Sequence, residues 1–309
     1  VLALAALVAC RRAPPPSTED ISAGRIAAHV RFLADDLIEG RGVASRGEAL
    51  ATAYIASQLA QAGLEPAGDN GTYFQRVPLV SVETLTSSTL TWNNRPLQWL
   101  TEYVGISPRQ QKEAAFDAEA VFVGHGIAAP EFQWDDYKGV DVKGKFVLLF
   151  TNEPESTDPK FFGGRALTYY GRWTYKLEEA TRRGALGCLI VHTTKTAGYG
   201  WQVVRNSWSG RQAEVKLAEG SPALAFSGWV SEQAGNQIFA DIKKTAAEML
   251  AQAEKRDFRP VPLPVRIRGR IQSGISATDT RNVVGRLPGA DTKLREEAVL
   301  YTAHFDHLG

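Results

Sequence analysis

Three side chains close together near the end of the sequence could do metal chemistry: His304, Asp306 and His307, in the run H-F-D-H. A neutral imidazole is the commonest protein metal ligand, and zinc is the metal this donor suggests. In an extended backbone, positions i and i+2 point to the same side. Asp306 could therefore accept the second ring N–H of His304 and leave the other nitrogen for the metal. The same pattern at a strand end also suits a plain hydrogen-bonded surface pair, and H-x-D alone does not separate the two.

The element that must present these groups is the run before them. Ala298 to Ala303, A-V-L-Y-T-A, follows the charged Glu296 and Glu297 and carries no charge itself. Such a run predicts a strand buried on both faces of a parallel sheet. Open α/β sheets place their ligand crevice where strands leave at their carboxyl ends, and His304, Asp306 and His307 fall there. Upstream, Arg281 to Gly289 reads R-N-V-V-G-R-L-P-G, an apolar strand closed by a Pro-Gly turn.

Together, N-V-V-G-R-L-P-G and Y-T-A-H-F-D-H-L-G resemble the start of the catalytic core in the zinc aminopeptidases of peptidase family M twenty-eight, in the bacterial branch that carries a protease-associated domain. A second stretch is similar to the amino-terminal region of the same branch: H-V-R-F-L-A-D-D-L-I-E-G-R-G, S-R-G-E-A-L-A-T-A-Y-I and G-D-N-G-T-Y-F-Q-R-V-P-L. A third set resembles the protease-associated domain: A-V-F-V-G-H-G-I-A-A-P, D-Y-K-G-V-D-V-K-G-K-F-V-L-L-F and E-A-T-R-R-G-A-L-G-C-L-I-V-H-T-T.

The resemblance implies an α/β fold: a mixed-sheet zinc-exopeptidase domain with an inserted, β-rich α/β protease-associated domain that has no catalytic groups. It implies two zinc ions bridged by a carboxylate and a water, with a Glu as general base. Zinc polarises the scissile carbonyl and lowers the pKa of bound water towards about 7. On this match His304 is the first zinc ligand, Asp306 the carboxylate that orients it, and His307 a cleft-rim residue with no ligand role. The bridging Asp, the general base and the remaining ligands are expected beyond Gly309. The chain is thus expected to be a truncated, inactive fragment of an enzyme that removes amino-terminal residues from peptides. The alternatives are a non-catalytic surface binding lipoprotein on the same scaffold, or a carboxypeptidase or cyclotransferase of the same fold.

Composition sets wider bounds. At 309 residues the chain has room for two domains, and 35 Lys and Arg against 34 Asp and Glu, without long same-sign blocks, leave no electrostatic footprint for nucleic acid. Val1 to Ala9 is apolar and too short to span a bilayer, which is how the core of an export signal looks. Leu7-Val8-Ala9-Cys10 resembles a bacterial lipobox, and Arg11 to Ser17 then reads as a stiff tether. These residues predict an exported protein of the bacterial cell envelope, anchored in the membrane by lipid on Cys10; an ordinary cleaved signal is the other reading. Cys188 lies in an apolar run and is expected to be buried without a disulfide. The expected divisions are 1–18 for the partial signal and tether, 19–110 for the first part of the peptidase domain, 111–258 for the protease-associated domain and 259–309 for the start of the catalytic core.

The remaining elements follow from periodicity. Ile26, Val30, Leu33 and Leu37 predict a core-covering helix that starts at Ser17 or Thr18. Ser45 and Glu48 form a capping box that opens a second helix with Leu50, Tyr54 and Leu59 on its face. Residues 72–80 read as a strand, 83–100 as a hairpin around Asn93-Asn94, 120–123 and 145–150 as short strands, and 182–191 as a helix running into a strand. A single helix is predicted over 234–253, and V-R-I-R-G-R-I at 265–271 reads as a strand with one wet face of arginines. His29 is read as a satisfied or solvated helix histidine, and His125 and His192 as ordinary loop histidines without ligand partners nearby. Arg41 and Arg46 read as structural, with a place at the substrate cleft as the other possibility. The aromatics Tyr169, Tyr170, Trp173, Tyr175, Tyr199, Trp201 and Trp208 fit either core packing or a lid over the cleft. In the second case Tyr170, Trp173 and Trp201 are substrate-cleft candidates.

Overall fold

The computed structural model describes residues 21–307. In chain order the main elements are α1 (Ala23–Leu33), α2 (Arg46–Gln61), β1 (Phe74–Thr84), β2 (Thr89–Trp92), β3 (Tyr103–Ile106), β4 (Glu113–Phe122), β5 (Phe146–Phe150), α3 (Trp173–Arg182), β6 (Gly187–Val191), α4 (Trp201–Trp208), β7 (Gln212–Val215), β8 (Phe226–Val230), α5 (Glu232–Ala240), α6 (Ala246–Ala253) and β9 (Val261–Val283). They divide into two units, one reaching to Val77 and resuming at Thr280, the other comprising Pro78–Asp279.

The larger unit is mixed α/β. F-V-L-L-F, G-C-L-I-V and F-S-G-W-V form β5, β6 and β8, each buried along its whole length. Continuous apolar runs of this kind are what strands covered on both faces require. β4, β5, β6 and β8 are parallel neighbours, and β3, β9, β2, β1 and β7 extend the sheet by antiparallel pairing, in the order β7-β1-β9-β4-β5-β6-β8-β3. Side chains alternate between two cores, as the strand period of two dictates. Phe122, Leu148, Phe150 and Leu189 face Ile238 and Phe239 of α5 and Met249 of α6. Val121, Val147, Leu149 and Ile190 face Ala180 of α3 and Val204 of α4. Cys188 is buried on the second side as a free thiol.

The hairpin at Asn93-Asn94 forms as expected, with both residues in the left-handed region that a two-residue turn requires. In β9, Val265, Ile267 and Ile271 are buried while Arg266, Arg268 and Arg270 lie on the wet face. These arginines are paired across the ladder: Arg266 and Arg268 hold Asp117 at 2.7 and 2.9 Å, and Arg270 holds Glu113 at 2.9 Å.

Expectations for four elements are corrected. Residues 234–253 form two helices, because the chain takes a left-handed turn at Lys243 and Thr245 opens α6 with a full capping box to Glu248. The strands at 78–106 and 261–279 belong to the same unit and sheet as 113–230.

The helix predicted from Ser17 or Thr18 starts at Ala23 with Ser22 as its cap, Ser17 and Thr18 lying outside the described residues. Its stripe covers no core: Ile26 and Val30 are 53% and 58% exposed. Its one stacked aromatic, Phe32, lies 4.1 Å from the ring of Tyr54. Likewise α2 buries Gly47, Glu48, Ala51, Thr52 and Ala56 instead of Leu50, which stays 39% exposed. The close neighbour of α2 is the backbone at Ile38, and only small side chains leave room for it.

Finally, Ala298 to Ala303 is not a strand; Val299, Leu300 and Tyr301 are 83%, 81% and 91% exposed. An apolar run becomes a strand only where a second backbone takes up its ladder bonds, and no described residue pairs with this one.

Candidate functional site

In the smaller unit, the residues of H-F-D-H are held against the turn that joins α1 to α2. That turn begins where Asp35 accepts the N–H of Leu37 at 2.9 Å. It then passes through three successive left-handed residues, Glu39, Gly40 and Arg41, with φ of 55°, 74° and 62°. For Glu39 and Arg41 such a backbone costs on the order of 1 kcal/mol each and needs compensating contacts. Arg41 makes them. Its guanidinium donates from Nη1 to the carbonyl of Leu33, the last residue of α1, and from Nε to the carbonyl of Phe305 at 2.7 Å. Its own carbonyl accepts the N–H of His307 at 3.3 Å.

His304 Nδ1 lies 2.9 Å from the backbone carbonyl of Asp306 and 3.5 Å from its Oδ1. A carbonyl oxygen only accepts, so this contact requires the proton on Nδ1, and in the neutral ring Nε2 then has the free lone pair. The expected Asp306 orientation is thus modified. Without a strand the i, i+2 alternation does not apply, the segment curls, and the backbone oxygen becomes the nearer acceptor. The His304 side chain is 80% exposed and that of Asp306 47% exposed. His307 is exposed and joins the rest through its backbone.

Zinc bound by protein side chains needs three or four donors. One imidazole with an oriented tautomer suits one such position. Among the described residues no three His, Cys, Asp or Glu side chains come together as a metal site. The residues present therefore do not make up a zinc centre by themselves, and no catalytic step follows from them.

The aromatic candidates belong to the larger unit. Tyr170 donates its hydroxyl to Glu131 at 2.6 Å, and that bond pushes the phenol up to about 12. Its ring meets Tyr175 and Phe162 edge-on at 5.0 and 5.8 Å. Trp201 donates from Nε1 to the carbonyl of Leu100 at 2.9 Å and lies edge-on to His192. Trp173 is 40% exposed, edge-on to Trp208 at 5.3 Å. Most of these contacts are packing contacts, with Tyr169, Trp173 and Tyr199 the exposed members of the set. Cys10 lies outside the described residues.

His125 and His192 are interior groups rather than loop-surface ones. His192 bonds the carbonyl of Tyr199 at 3.0 Å, and burial holds its imidazole below the usual range. His125 is fully buried, with Nδ1 3.2 Å from the carbonyl of Thr151 and Nε2 3.3 Å from Glu254. Beside it, Asp136 accepts from the backbone N–H groups of His125 and Ile127 and from Trp134 Nε1. Lys176 on α3 completes this interior polar group, which the sequence reading missed. Its only trace in the sequence is a lysine between Tyr175 and Leu177 on a helix that otherwise turns Tyr175, Glu179 and Ala180 inward.

No family model matches this chain, and no curated protein does. Among solved structures it is similar to an aminopeptidase from Aneurinibacillus sp. strain AM-1, with 16% identity and a TM-score of 0.38, covering 88% of this chain and 50% of that one. It is also similar to BSAP, a zinc aminopeptidase from Bacillus subtilis, with 14% identity and a TM-score of 0.32, covering 84% of this chain and 45% of that one. The chain spans about half the length of the solved structures it matches.

Proposed function

We propose that this chain is part of a zinc-dependent exopeptidase that removes amino-terminal residues from peptides, exported to the bacterial cell envelope and anchored by lipid on Cys10. The reading rests on the H-F-D-H segment and its resemblance in sequence to the zinc aminopeptidases. The observation that carries it is the His304 ring, whose Nδ1 is taken up by Asp306 at 2.9 Å while the side chain stays 80% exposed. A ligand imidazole needs that arrangement: one nitrogen tied to an oxygen, the other open to the metal.

On this reading His304 is one ligand of a two-zinc centre whose other donors are not among the described residues. When bound, zinc would supply an activated water and polarise the peptide carbonyl. The chain's own contribution is to hold His304 in one tautomer and to fix the backbone of residues 305–307. The protease-associated module, built on the larger unit, would carry recognition rather than chemistry.

The test is to express the complete reading frame, count bound zinc and assay aminoacyl arylamides with and without chelator. Two zinc ions per chain and chelator-sensitive turnover are expected. In His304→Ala, one zinc and nearly all turnover should be lost. A metal-free wild type would favour the binding-protein reading, and full activity in the variant would remove His304 from the site.

A further inference from the structure

The left-handed turn at Glu39–Arg41 and the H-F-D-H segment are 264 residues apart at their hydrogen-bonded pair, Arg41 and Phe305. Arg41 touches the segment twice, once by its side chain and once by its backbone, and the two contacts bracket Asp306. Each peptide group is planar and trans, so a C=O and the following N–H point in opposite directions from one rigid plate. Arg41 Nε holds the carbonyl of Phe305 at 2.7 Å, which fixes the plate shared with the N–H of Asp306. The carbonyl of Arg41 holds the N–H of His307 at 3.3 Å, which fixes the plate shared with the carbonyl of Asp306. That carbonyl is the one that takes up His304 Nδ1 at 2.9 Å.

We propose that Arg41 is the positioning residue of the H-F-D-H segment: by clamping the two peptide planes that flank Asp306, it sets the His304 imidazole in its Nδ1–H tautomer with Nε2 facing outward. The proposal deepens the metal-ligand reading of His304 and rests on it for its functional meaning, though the clamp itself involves only the chain's own groups. A left-handed φ at Arg41 has a purpose in this arrangement. It turns the Arg41 carbonyl towards His307 while the side chain of the same residue reaches Phe305 and Leu33. The guanidinium is suited to this because two of its N–H groups meet two separate carbonyls from one rigid plane. The Leu33 carbonyl belongs to the carboxyl end of α1, where helix carbonyls lack intrahelical partners and positive charge is favoured. A lysine concentrates its donors on one nitrogen and lacks the two separated, fixed N–H directions that reach Phe305 and Leu33.

The test uses the ¹⁵N-labelled chain by NMR, with wild type, Arg41→Lys and Arg41→Gln. In wild type the His307 amide is expected to exchange slowly with solvent, and the ring-nitrogen shifts of neutral His304 to report a proton on Nδ1. In both variants His307 exchange should accelerate by roughly tenfold or more, and His304 should move to the tautomer mixture of a solvated imidazole. Protected amides of Ala51 and Thr52 within α2 serve as the control that the unit remains folded. An unprotected His307 amide or an Nε2–H tautomer in wild type overturns the proposal without any variant, and so do unchanged His307 and His304 signals in Arg41→Lys. Zinc counting on the complete reading frame separates the two readings. A zinc-free protein that still shows the Arg41 effect removes the metal assignment and leaves the clamp standing, whereas a zinc-loaded protein without the effect does the reverse.

Discussion

Lys176 Nζ donates to the backbone carbonyl of Asn152 at 2.7 Å from a side chain with no exposed surface. Burial lowers its ammonium from 10.5 to about 7, against the opposing pull of the Asp136 and Glu153 carboxylates. Between those two pH values the unfolded chain holds a proton that the folded chain has released, so this group makes stability rise with pH. Asp136 acts in its own window. Burial pushes it from 3.8 up to about 6, so the folded state holds the extra proton there and stability falls as pH rises. Lys176→Met should remove the first effect. The stability of wild type relative to the variant, from urea unfolding at pH 7 and 9, should grow by on the order of 1–3 kcal/mol across that interval. A difference that stays flat with pH would show that Lys176 does not titrate in the interior.

Phe122 ends β4 with no exposed surface and meets Phe150, Phe239 and Phe258 edge-on at 5.6, 5.2 and 5.7 Å. One ring thus joins β5, α5 and the segment after α6 in a single packed group. Phe122→Ala should cost about 3–5 kcal/mol, the lost transfer energy plus the cavity. Urea unfolding followed by tryptophan fluorescence should show a lower midpoint with an unchanged slope. A loss below 1 kcal/mol would mean that the neighbouring rings close the gap.

Two glycines on helices in the smaller unit should respond in opposite ways to the same change. A Cβ at Gly47 in α2 would fall 1.8 Å from the carbonyl oxygen of Ile38, so Gly47→Ala must push the helix off the turn. At Gly24 in α1 nothing lies within 4 Å. Gly24→Ala should therefore slow amide exchange in α1, with a gain of up to ~1 kcal/mol from helix propensity. Gly47→Ala should lose more than ~2 kcal/mol despite the same propensity gain. Equal shifts in the two variants would contradict the close approach at Ile38.

This contrast also shows where the sequence was informative. The parallel strands were legible because strands covered on both faces must be apolar throughout, and F-V-L-L-F and G-C-L-I-V are. The hairpin was legible because Asn93-Asn94 supplies two residues that tolerate left-handed backbone. Burial of a helix face is not a local property, which is why Ile26 and Val30 could be patterned for a core and still be exposed. The same holds for Val299 to Tyr301, whose strand depends on a partner backbone. At the candidate site, the contact between His304 and Asp306 was legible by residue type and spacing. Arg41 was not recognised as their support, because a contact across 264 residues leaves no periodic trace. Lys176 escaped for a related reason: its acceptor is the Asn152 carbonyl in the loop after β5, and the carboxylates that act on it, Asp136 and Glu153, lie in the loops after β4 and β5.

Glu48 is 5% exposed and ties three parts of the smaller unit together. Its carboxylate accepts from the N–H of Ala44 and from the hydroxyl of Thr280 at 2.8 Å, while its own N–H is capped by Ser45 at 3.2 Å. One turn on, Thr52 accepts from Arg281 Nε at 2.8 Å, and Arg281 also covers the ring of Phe74 at 4.2 Å. The backbone that leads towards H-F-D-H is thus fastened to α2 at Thr280 and Arg281. Glu48→Ala strands the Ala44 N–H and the Thr280 hydroxyl together and should cost about 1–3 kcal/mol. Glu48→Gln keeps an acceptor for one of them and should cost less, with the loss concentrated at whichever donor faces the new amide. Amide exchange at Ala44 and Thr280 checks the local effect, and the exchange of β5 and β6 should not move. Loss of protection spread evenly over both units would place Glu48 in a global rather than a local role.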